Sequence, residues 1–165
     1  MAVSQTVMAY LDERDVDFDI VTHNWTNTAL SSADATGVPP RQLVKAVLMY
    51  CVDEYILALL PADRRVDANA LADLSHETPV CFAPEEDLPL LFRDCRIGAV
   101  PAVGPAFGVR TIVDERLLHT DELFFEGGDH VHLVHVDCDG FARLTTGLEH
   151  GAFSVPAARK DERSS

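Results

Sequence analysis

Lysine is nearly absent from this chain of 165 residues, which holds two lysines against eleven arginines. Aspartate and glutamate together number 27, so the formal net charge is -14. An acidic surface of this kind repels the phosphate backbone, which excludes broad, non-specific binding to nucleic acid and argues against a DNA partner. An RNA partner would have to be received at a local cluster of arginines.

Two further absences narrow the class of protein. The four cysteines, at positions 51, 81, 95 and 138, form no Cys-x-x-Cys pair for zinc or thiol exchange, and we expect them to be reduced packing residues. No stretch approaches the ~18 apolar residues of a membrane span, and residues 1–6 lack the basic start of a secretory signal. We therefore expect a cytoplasmic protein with no membrane partner.

The composition that is present is typical of a globular domain. Hydrophobic residues make up 47% of the chain and charged residues 24%. This length suits one domain with a real core and is short for two. We predict a single domain over residues 1–158, followed by a polar tail at 159–165.

Hydrophobic periodicity predicts interleaved helices and strands. Five helices are predicted. The first ends near Asp15, the second runs from Ser31 or Ser32 to Ala35, and the third covers 68–74 with Asp67 as N-cap. The fourth runs from Pro84 to Phe92, and the fifth covers 137–144. Predicted strands lie at 18–20, 43–51, 54–61, 110–113, 122–125 and 131–136, with a hairpin at Val52-Asp53. Several links are too short for helical crossovers. The fold class is therefore α/β with a mixed, largely antiparallel sheet and flanking helices.

Lys45 stands within the apolar run at 43–50. Strand alternation places it with Val47 and Met49 on one sheet face, and because both faces are apolar the strand should be central. A buried ammonium is costly unless it is paired, deprotonated or aimed into a cleft. Lys45 is therefore a candidate to bind a phosphate, carbonyl or carboxylate, or to act as a base. The alternatives are that it reaches solvent or pairs with a carboxylate.

A second candidate is the segment from Arg96 to Gly108, where three glycines and two prolines predict a rigid, tightly turning loop without regular structure. Glycines bring backbone N–H groups close to a ligand, and prolines keep those donors aimed. The segment matches neither a Walker loop nor a dinucleotide fingerprint. An ordinary turn is the alternative.

The third candidate is the segment 126–135, which contains three histidines. His130 and His132 would share a strand face and, with Asp129 or His135, could imitate a metal cluster. The spacing does not match the helical H-E-x-x-H pattern, and His135 would fall on the opposite face. A turn at Gly127-Gly128 with His130 bordering a cleft explains the segment better, so we predict no metal site.

Hydroxyl groups in the loop that follows the first strand form the last candidate. Thr26 and Thr28, beside His23, could line the mouth of a pocket, or make ordinary loop hydrogen bonds. No Gly-x-Ser-x-Gly elbow occurs, and no serine or cysteine has an evident base partner. Covalent catalysis is unsupported.

Taken in order, these segments resemble the YbaK/EbsC-type family, the free-standing relatives of the editing domain inserted in bacterial prolyl-tRNA synthetases. The likeness runs from about residue 16 to 145. The matching pieces are His23 with Thr28, then 43–47, 59–67, 95–101, 111–115 and 125–130.

The resemblance implies a mixed α/β fold and hydrolysis of mischarged aminoacyl-tRNA, notably Ala-tRNA(Pro) or Cys-tRNA(Pro), without metal or cofactor. It maps the family's lysine onto Lys45, which would hold the aminoacylated terminal adenosine, and its loop glycine onto Gly98. The remaining substrate-binding candidates are His23, Thr26, Thr28, Ala99, Val100, Pro101, Gly127, Gly128 and His130. The partners it implies are the acceptor end of a mischarged tRNA and a prolyl-tRNA synthetase.

Two features set this chain apart from the family pattern. Family members often carry Gly-x-x-x-Pro in the loop, whereas this chain has Pro101 at the third place and Ala102 at the fourth. Its acidity also requires a restricted patch for tRNA, for which the candidates are Arg41, Arg64, Arg65, Arg93 and Arg96. A non-catalytic module that binds an amino acid or a nucleotide end is the rival hypothesis. The sequence leaves the oligomeric state open.

Overall fold

The computed structural model describes residues 2–157, so the tail predicted at 159–165 lies outside the described residues. The described helices are α1 (Gln5–Glu13), α2 (Ala29–Thr36), α3 (Ala68–Ser75), α4 (Leu88–Leu91) and α5 (Cys138–Leu144). The described strands are β1 (Asp19–Thr22), β2 (Leu43–Cys51), β3 (Glu54–Pro61), β4 (Arg64–Val66), β5 (Cys81–Phe82), β6 (Arg110–Asp114), β7 (Glu122–Glu126), β8 (His132–Asp137), β9 (Glu149–Gly151) and β10 (Ser154–Pro156).

One large sheet organises the chain in the order β1-β8-β7-β2-β3-β6-β9, with β5 added to β2. β4 and β10 form a separate two-stranded sheet. The pairs β2–β7, β3–β6 and β6–β9 are parallel, and the five other described pairs are antiparallel. This mixed, largely antiparallel sheet with flanking helices confirms the predicted fold class, and β2 is central as predicted.

Both faces of the sheet are covered, and the alternation of the central strands decides which residues go where. Leu57 and Leu59 of β3 pack with α1 and α5. Ile56 and Leu60 of the same strand pack against α3 on the opposite face. α2 covers a smaller cluster on the α3 side, around Leu43 at the start of β2. Burial of apolar surface on two faces is the main source of stability here.

Side-chain caps fix where the helices begin. Ser4 accepts a hydrogen bond from the N–H of Val7 at the start of α1. Asp67 accepts from the N–H groups of Asn69 and Ala70, which confirms it as the N-cap of α3. These oxygens satisfy first-turn donors that have no acceptor within the helix.

The structure differs from the prediction where the chain is irregular. The single helix predicted from Pro84 to Phe92 is wrong: a 3-10 turn (Glu85–Asp87) precedes the short α4, because Pro89 has no N–H to bond the carbonyl of Glu85. The segment 96–108 is not wholly irregular, since Gly104–Phe107 form a 3-10 turn with proline near its start. The strands β4, β5, β9 and β10 were not predicted.

The cysteines also depart in part from expectation. Cys51 is buried and Cys95 is half-buried, as packing residues should be, but Cys81 and Cys138 are exposed. All four are free thiols.

Among the described residues, no helix is both long and apolar enough to cross a bilayer.

Candidate functional site

The sheet is open along part of one edge of β2. That strand pairs with β3 over almost its whole length, but on its other edge it meets β7 only at 43–44 and β5 only at 49–50. On this edge the carbonyl of Leu48 accepts a hydrogen bond of 3.0 Å from the N–H of Ala83. The backbone groups of alternate strand residues point to the same edge, so the N–H and C=O of Ala46 face the opening.

A cavity of about 420 Å³ occupies this opening. That volume lies within the range of small-molecule sites, and the wall is mostly apolar with a few polar groups, as such sites usually are. The residues that line it are Asn27, Thr28, Ala29, Leu30, Val44, Lys45, Ala46, Val47, Leu48, Ala62, Phe82, Ala83, Glu85, Leu88, Gly98, Val100 and Glu126. The cavity therefore brings together the central strand, the start of α2, the β5–α4 segment and the loop around Gly98.

Lys45 lies in the cavity wall and is half-buried. It belongs to the sheet face that carries α2 and α3, since its face neighbours Leu43 and Met49 pack in the clusters beneath those helices. Its Nζ donates a hydrogen bond of 2.6 Å to the carbonyl oxygen of Arg64, at the start of β4. This bond orients the ammonium group beside the cavity and keeps its charge solvated by a main-chain dipole.

The loop around Gly98 forms a second part of the wall, and it is clamped from behind. Gly98 has φ +88°, and a Cβ at this position would lie 3.1 Å from Cε1 of His130. A ring nitrogen of His130 is 2.6 Å from the carbonyl of Ile97, and the N–H of Arg96 donates to the carbonyl of Gly128. The loop is thus fixed to the β7–β8 turn, and Gly98 and Val100 of this loop line the cavity.

The first turn of α2 supplies a third part of the wall. Thr28 is the N-cap, and its Oγ1 accepts a hydrogen bond of 3.1 Å from the N–H of Ser31. The next two residues, Ala29 and Leu30, line the cavity. First-turn N–H groups have no acceptor within their own helix and carry the positive end of its dipole. They are suited to contact a carbonyl oxygen, an oxyanion or a phosphate.

Glu126, at the end of β7, is the buried acid of the site. It is 7% exposed and lines the cavity. Its Oε2 accepts a hydrogen bond of 2.8 Å from Ser32 Oγ of α2, and Ser32 Oγ is in turn 2.6 Å from Thr26 Oγ1. Oε1 is shielded from solvent and has no hydrogen-bond partner. Burial raises the pKa of this carboxyl to about 7, with a smaller contribution from the nearby Asp129, and the Ser32 hydrogen bond acts in the opposite direction.

Four of the predicted site residues line the cavity: Thr28, Lys45, Gly98 and Val100. The other predicted residues lie behind this wall or beside it. Ala99 and Pro101 are buried beneath the loop, and Gly127 and Gly128 are buried in the β7–β8 turn. His23 donates through Nδ1 to the carbonyl of Asn24, and Thr26 bonds Ser32. Ala102, which stands at the usual place of the loop proline, is buried in the main core and does not line the cavity.

The histidines are engaged separately. His132 Nδ1 lies 2.5 Å from Asp129 Oδ2, and His135 bridges Asp19 and Glu122. His130 has φ +69° and precedes β8, so the expectation that it shares a strand face with His132 is wrong.

Within residues 2–157, the one group with metal-ligand geometry is Cys51, Glu54 and Glu77. Arg110 lies 3.4 Å from both of those glutamates, which explains the acidic cluster as an ion-pair network.

The predicted tRNA-contact arginines lie on more than one side of the site. Arg41 and Arg65 are exposed, and Arg64 is half-buried with its guanidinium bonded to Ser154. Of these three, Arg64 is in contact with Lys45, since its carbonyl oxygen accepts the Lys45 hydrogen bond. Arg96 is exposed and lies two residues before Gly98 in the loop.

Arg96 also lies over an aromatic surface. Its guanidinium carbon is 5.7 Å from the ring centroid of Trp25, whose own ring packs 4.5 Å from that of His130. Trp25 is 47% exposed. Arg93 is exposed as well, just after α4. An exposed indole beside a guanidinium provides a stacking surface near the loop.

Sequence reasoning missed Glu126, Ser32 and the β5–α4 wall. Glu126 carried a signal, since it directly follows the apolar residues Leu123-Phe124-Phe125, but it also precedes two glycines and so reads as part of an exposed turn. No local pattern connects it with Ser32, which is 94 residues away in the chain.

The fold and the cavity together define a mixed α/β domain with a candidate ligand site in a gap beside the central strand, lined by Lys45 and by the constrained loop around Gly98. Comparison with known proteins identifies its family. The family model described as the aminoacyl-tRNA editing domain matches residues 23–144, and this chain belongs to that family. The resemblance drawn from the sequence motifs is thereby confirmed.

Individual relatives agree with this assignment. The proline--tRNA ligase of Fervidobacterium nodosum is 32% identical over 114 residues, which are 68% of this chain and 19% of the ligase. The chain thus spans about a fifth of that relative's length. A crystal structure of a protein proposed as a trans-editing enzyme for prolyl tRNA synthetase matches with a TM-score of 0.78 and 25% identity, over 93% of this chain and 99% of that one.

A third comparison concerns the fold alone. The hypothetical protein APE2540 matches with a TM-score of 0.80 and 21% identity, over 92% of this chain and all of the other.

Proposed function

We propose that this chain acts in trans as an aminoacyl-tRNA deacylase, which hydrolyses the ester of Ala-tRNA(Pro) or Cys-tRNA(Pro) without a metal ion. The observation that carries the proposal is that Lys45, the Gly98 backbone and the first turn of α2 line one cavity. A cation and two sets of main-chain donors around a small apolar pocket match an ester flanked by a short side chain and a nucleotide.

The chemistry needs no protein nucleophile. No serine, cysteine or histidine occurs among the described residues that line the cavity. An aminoacyl ester is already activated, so holding it beside a water molecule and stabilising the developing oxyanion contribute most of the rate enhancement. Water attacks the ester carbonyl carbon, the bond to the ribose oxygen breaks, and that oxygen takes up a proton. The products are the free amino acid and the tRNA.

The residues divide these tasks. Lys45 provides positive charge for the ester or the terminal adenosine and its phosphate, and its bond to Arg64 aims it. The N–H groups of the Gly98 loop and of Ala29 and Leu30 are donors for the oxyanion. The apolar wall selects for size. One methylene in a hydrophobic pocket changes discrimination by roughly 10- to 200-fold, which suits exclusion of proline and acceptance of alanine or cysteine.

The acidic net charge places a condition on how tRNA is received. With a formal charge of -14, the chain can approach RNA only where cations are exposed, and the arginines on either side of the cavity provide such a surface. Delivery by a prolyl-tRNA synthetase would relieve the same condition. That enzyme is therefore the protein partner we propose, with the acceptor end of the mischarged tRNA as substrate.

The test is a deacylation panel with Ala-, Cys-, Ser- and Pro-tRNA. Wild type should hydrolyse Ala- or Cys-tRNA(Pro) at least tenfold faster than Pro-tRNA(Pro), and activity should survive a chelator. Lys45→Ala should lower kcat/KM by roughly 10²- to 10³-fold, the range for loss of one oxyanion stabiliser.

Lys45→Arg is the matched control for the structural bond to Arg64, because it retains a donor and a charge. Partial activity in Lys45→Arg with a native melting temperature in both variants assigns the loss to the cavity. If wild type hydrolyses none of the four substrates, the rival binding module is favoured. Activity abolished by chelator would contradict the metal-free reaction.

A further inference from the structure

The carboxyl group of Glu126 has a position that the steps proposed above do not explain. Glu126 is only 7% exposed, it lines the cavity, and its Oε1 has no hydrogen-bond partner. An acidic group in such surroundings costs stability unless something offsets it. The Ser32 hydrogen bond occupies Oε2 alone, and a neutral glutamine could accept it equally well.

The register of the sheet places Glu126 and Lys45 at corresponding positions on adjacent strands. β7 and β2 are parallel, with Phe124 opposite Leu43 and Phe125 opposite Val44. Glu126 and Lys45 are the next residues on the two strands, beyond the last paired position. Side chains of neighbouring positions in a register lie on the same sheet face, so both belong to the face covered by α2. Hence the same side of the cavity carries an amine and a carboxyl on adjacent strands.

An aminoacyl ester presents the complementary pair of groups. Its α-ammonium is cationic, and the ester carbonyl one carbon away develops negative charge during hydrolysis. We propose, building on the proposed function, that Glu126 binds the α-ammonium group of the aminoacyl ester and makes a free α-amine a condition for binding. The acceptor is the Glu126 carboxyl, which lines the cavity and whose Oε1 has no hydrogen-bond partner, and Ser32 with Thr26 behind it holds the carboxyl in place.

This assignment has a chemical consequence for specificity. An N-acylated ester, such as a peptidyl ester or an N-acetyl aminoacyl ester, has no ammonium group to offer and adds a carbonyl next to the carboxyl. A site of this kind would spare such esters. A site built to bond one polar group rejects the analogue that lacks it, because its own buried group is then left unpaired.

The charge on Glu126 should respond to the ligand. Its pKa of about 7 comes first from burial and then from Asp129, so near neutral pH the carboxyl is partly protonated. Two further charged residues line the same cavity, Lys45 and the exposed Glu85. An ammonium ligand favours the carboxylate form, so binding of a free-amine ligand should strengthen as pH rises from 5.5 to 7.5.

The experiment measures binding rather than hydrolysis. The probes are 3′-deoxy-3′-(alanylamino)adenosine, in which an amide replaces the ester, and the same compound with its α-amine acetylated. Calorimetry with wild type should show roughly 10- to 100-fold tighter binding of the free amine, the range for a charge-assisted hydrogen bond. Glu126→Gln should remove that preference and flatten its pH dependence, while Glu85→Gln, a lining but exposed acid, should preserve both.

The outcomes separate this proposal from the deacylase. Equal binding of the two probes by wild type, binding of neither probe, or a preference that survives in Glu126→Gln would each overturn it. The comparison of probes on wild type needs no variant to fold. A preference that depends on Glu126, together with no hydrolysis of the tRNA panel, supports ammonium recognition and removes the deacylase alone.

Discussion

A single backbone conformation decides the shape of the cavity wall at Gly98. Its φ of +88° belongs to the region that glycine adopts without steric cost, and the side of Gly98 where a Cβ would stand is filled by His130 and the carbonyl of Asn27. His130 therefore supports the loop from behind through its contact with the carbonyl of Ile97.

Gly98→Ala should lower both the unfolding free energy and the function of the site, and a second variant can separate these two losses. Gly108→Ala provides the matched control, since Gly108 has φ +72° but nothing within 4 Å of its added Cβ. Both variants should lose about 1–2 kcal/mol of unfolding free energy in urea, the cost of a left-handed residue with a Cβ. Only Gly98→Ala should also lose tenfold or more in deacylation or in binding of the alanylamino-adenosine probe. Equal function in the two variants would contradict the assignment of Gly98 to the wall.

Lys45 and Glu126 mark how far the site could be predicted from residues alone. Lys45 is conspicuous because a cation interrupts an apolar strand, and strand alternation gave its face correctly. Glu126 has no such contrast, since it ends a strand beside two glycines. Glu126 stands out because its carboxyl is buried, bonds Ser32 of α2 and lies near Asp129. These contacts exist only in the folded chain.

At the level of elements, α2 links the cap of a helix to the wall of the cavity. Thr28 holds the N–H of Ser31 and donates to Ser31 Oγ, which orders the turn that carries Ala29 and Leu30. An eight-residue helix is marginal without such support. The donors of that turn are useful to a ligand only while the turn is formed.

Thr28→Val should therefore weaken function more than its effect on stability explains. Asp67→Ala is the matched control, because it removes the cap of the equally long α3, whose residues do not line the cavity. Each loss of a cap should cost about 1 kcal/mol in urea unfolding. Thr28→Val should in addition raise KM or probe Kd several-fold, and Thr28→Ser should restore it. A parallel loss in Asp67→Ala would show that global stability, not the α2 turn, controls binding.

The same scale shows which parts of the fold local patterns encode. β2, β3 and α3 were predicted within a residue or so, because each has its own periodicity, cap or hairpin turn. β4, β9 and β10 have three residues each and exist as strands through partners that are far away in sequence, such as Ser154 opposite Val66. A run of three residues has too little pattern to indicate a strand.

For the whole molecule, charge is arranged so that the site differs from the surface. A chain with 27 acids and 13 basic residues places one of its two lysines in the cavity wall. Elsewhere cations serve the fold, as when Arg110 donates to Glu149, Glu77 and the carbonyl of Ser75 and so ties β6 to β9 and to the end of α3. A net charge of -14 opposes the approach of RNA over most of such a surface.

Glu126 should make the folding stability of the whole chain depend on pH in an unusual direction. Its pKa is raised from 4.5 to about 7, so between these values the folded protein holds a proton that the unfolded chain has released. Stability from this group is therefore full below about pH 4.5, falls as pH rises, and is lost by about pH 7. A shift of this size corresponds to a cost of about 3 kcal/mol above pH 7.

Urea unfolding of wild type and Glu126→Gln from pH 4.5 to 8 measures that cost directly. The variant should be more stable than wild type by about 1–3 kcal/mol at pH 8, and the difference should shrink towards zero at pH 4.5. The acids with lowered pKa values, such as Glu149, titrate in both proteins and cancel in the difference. A difference that does not change with pH would contradict the raised pKa of Glu126, whereas the predicted slope would show that the fold carries a destabilising carboxylate beside the cavity above pH 7.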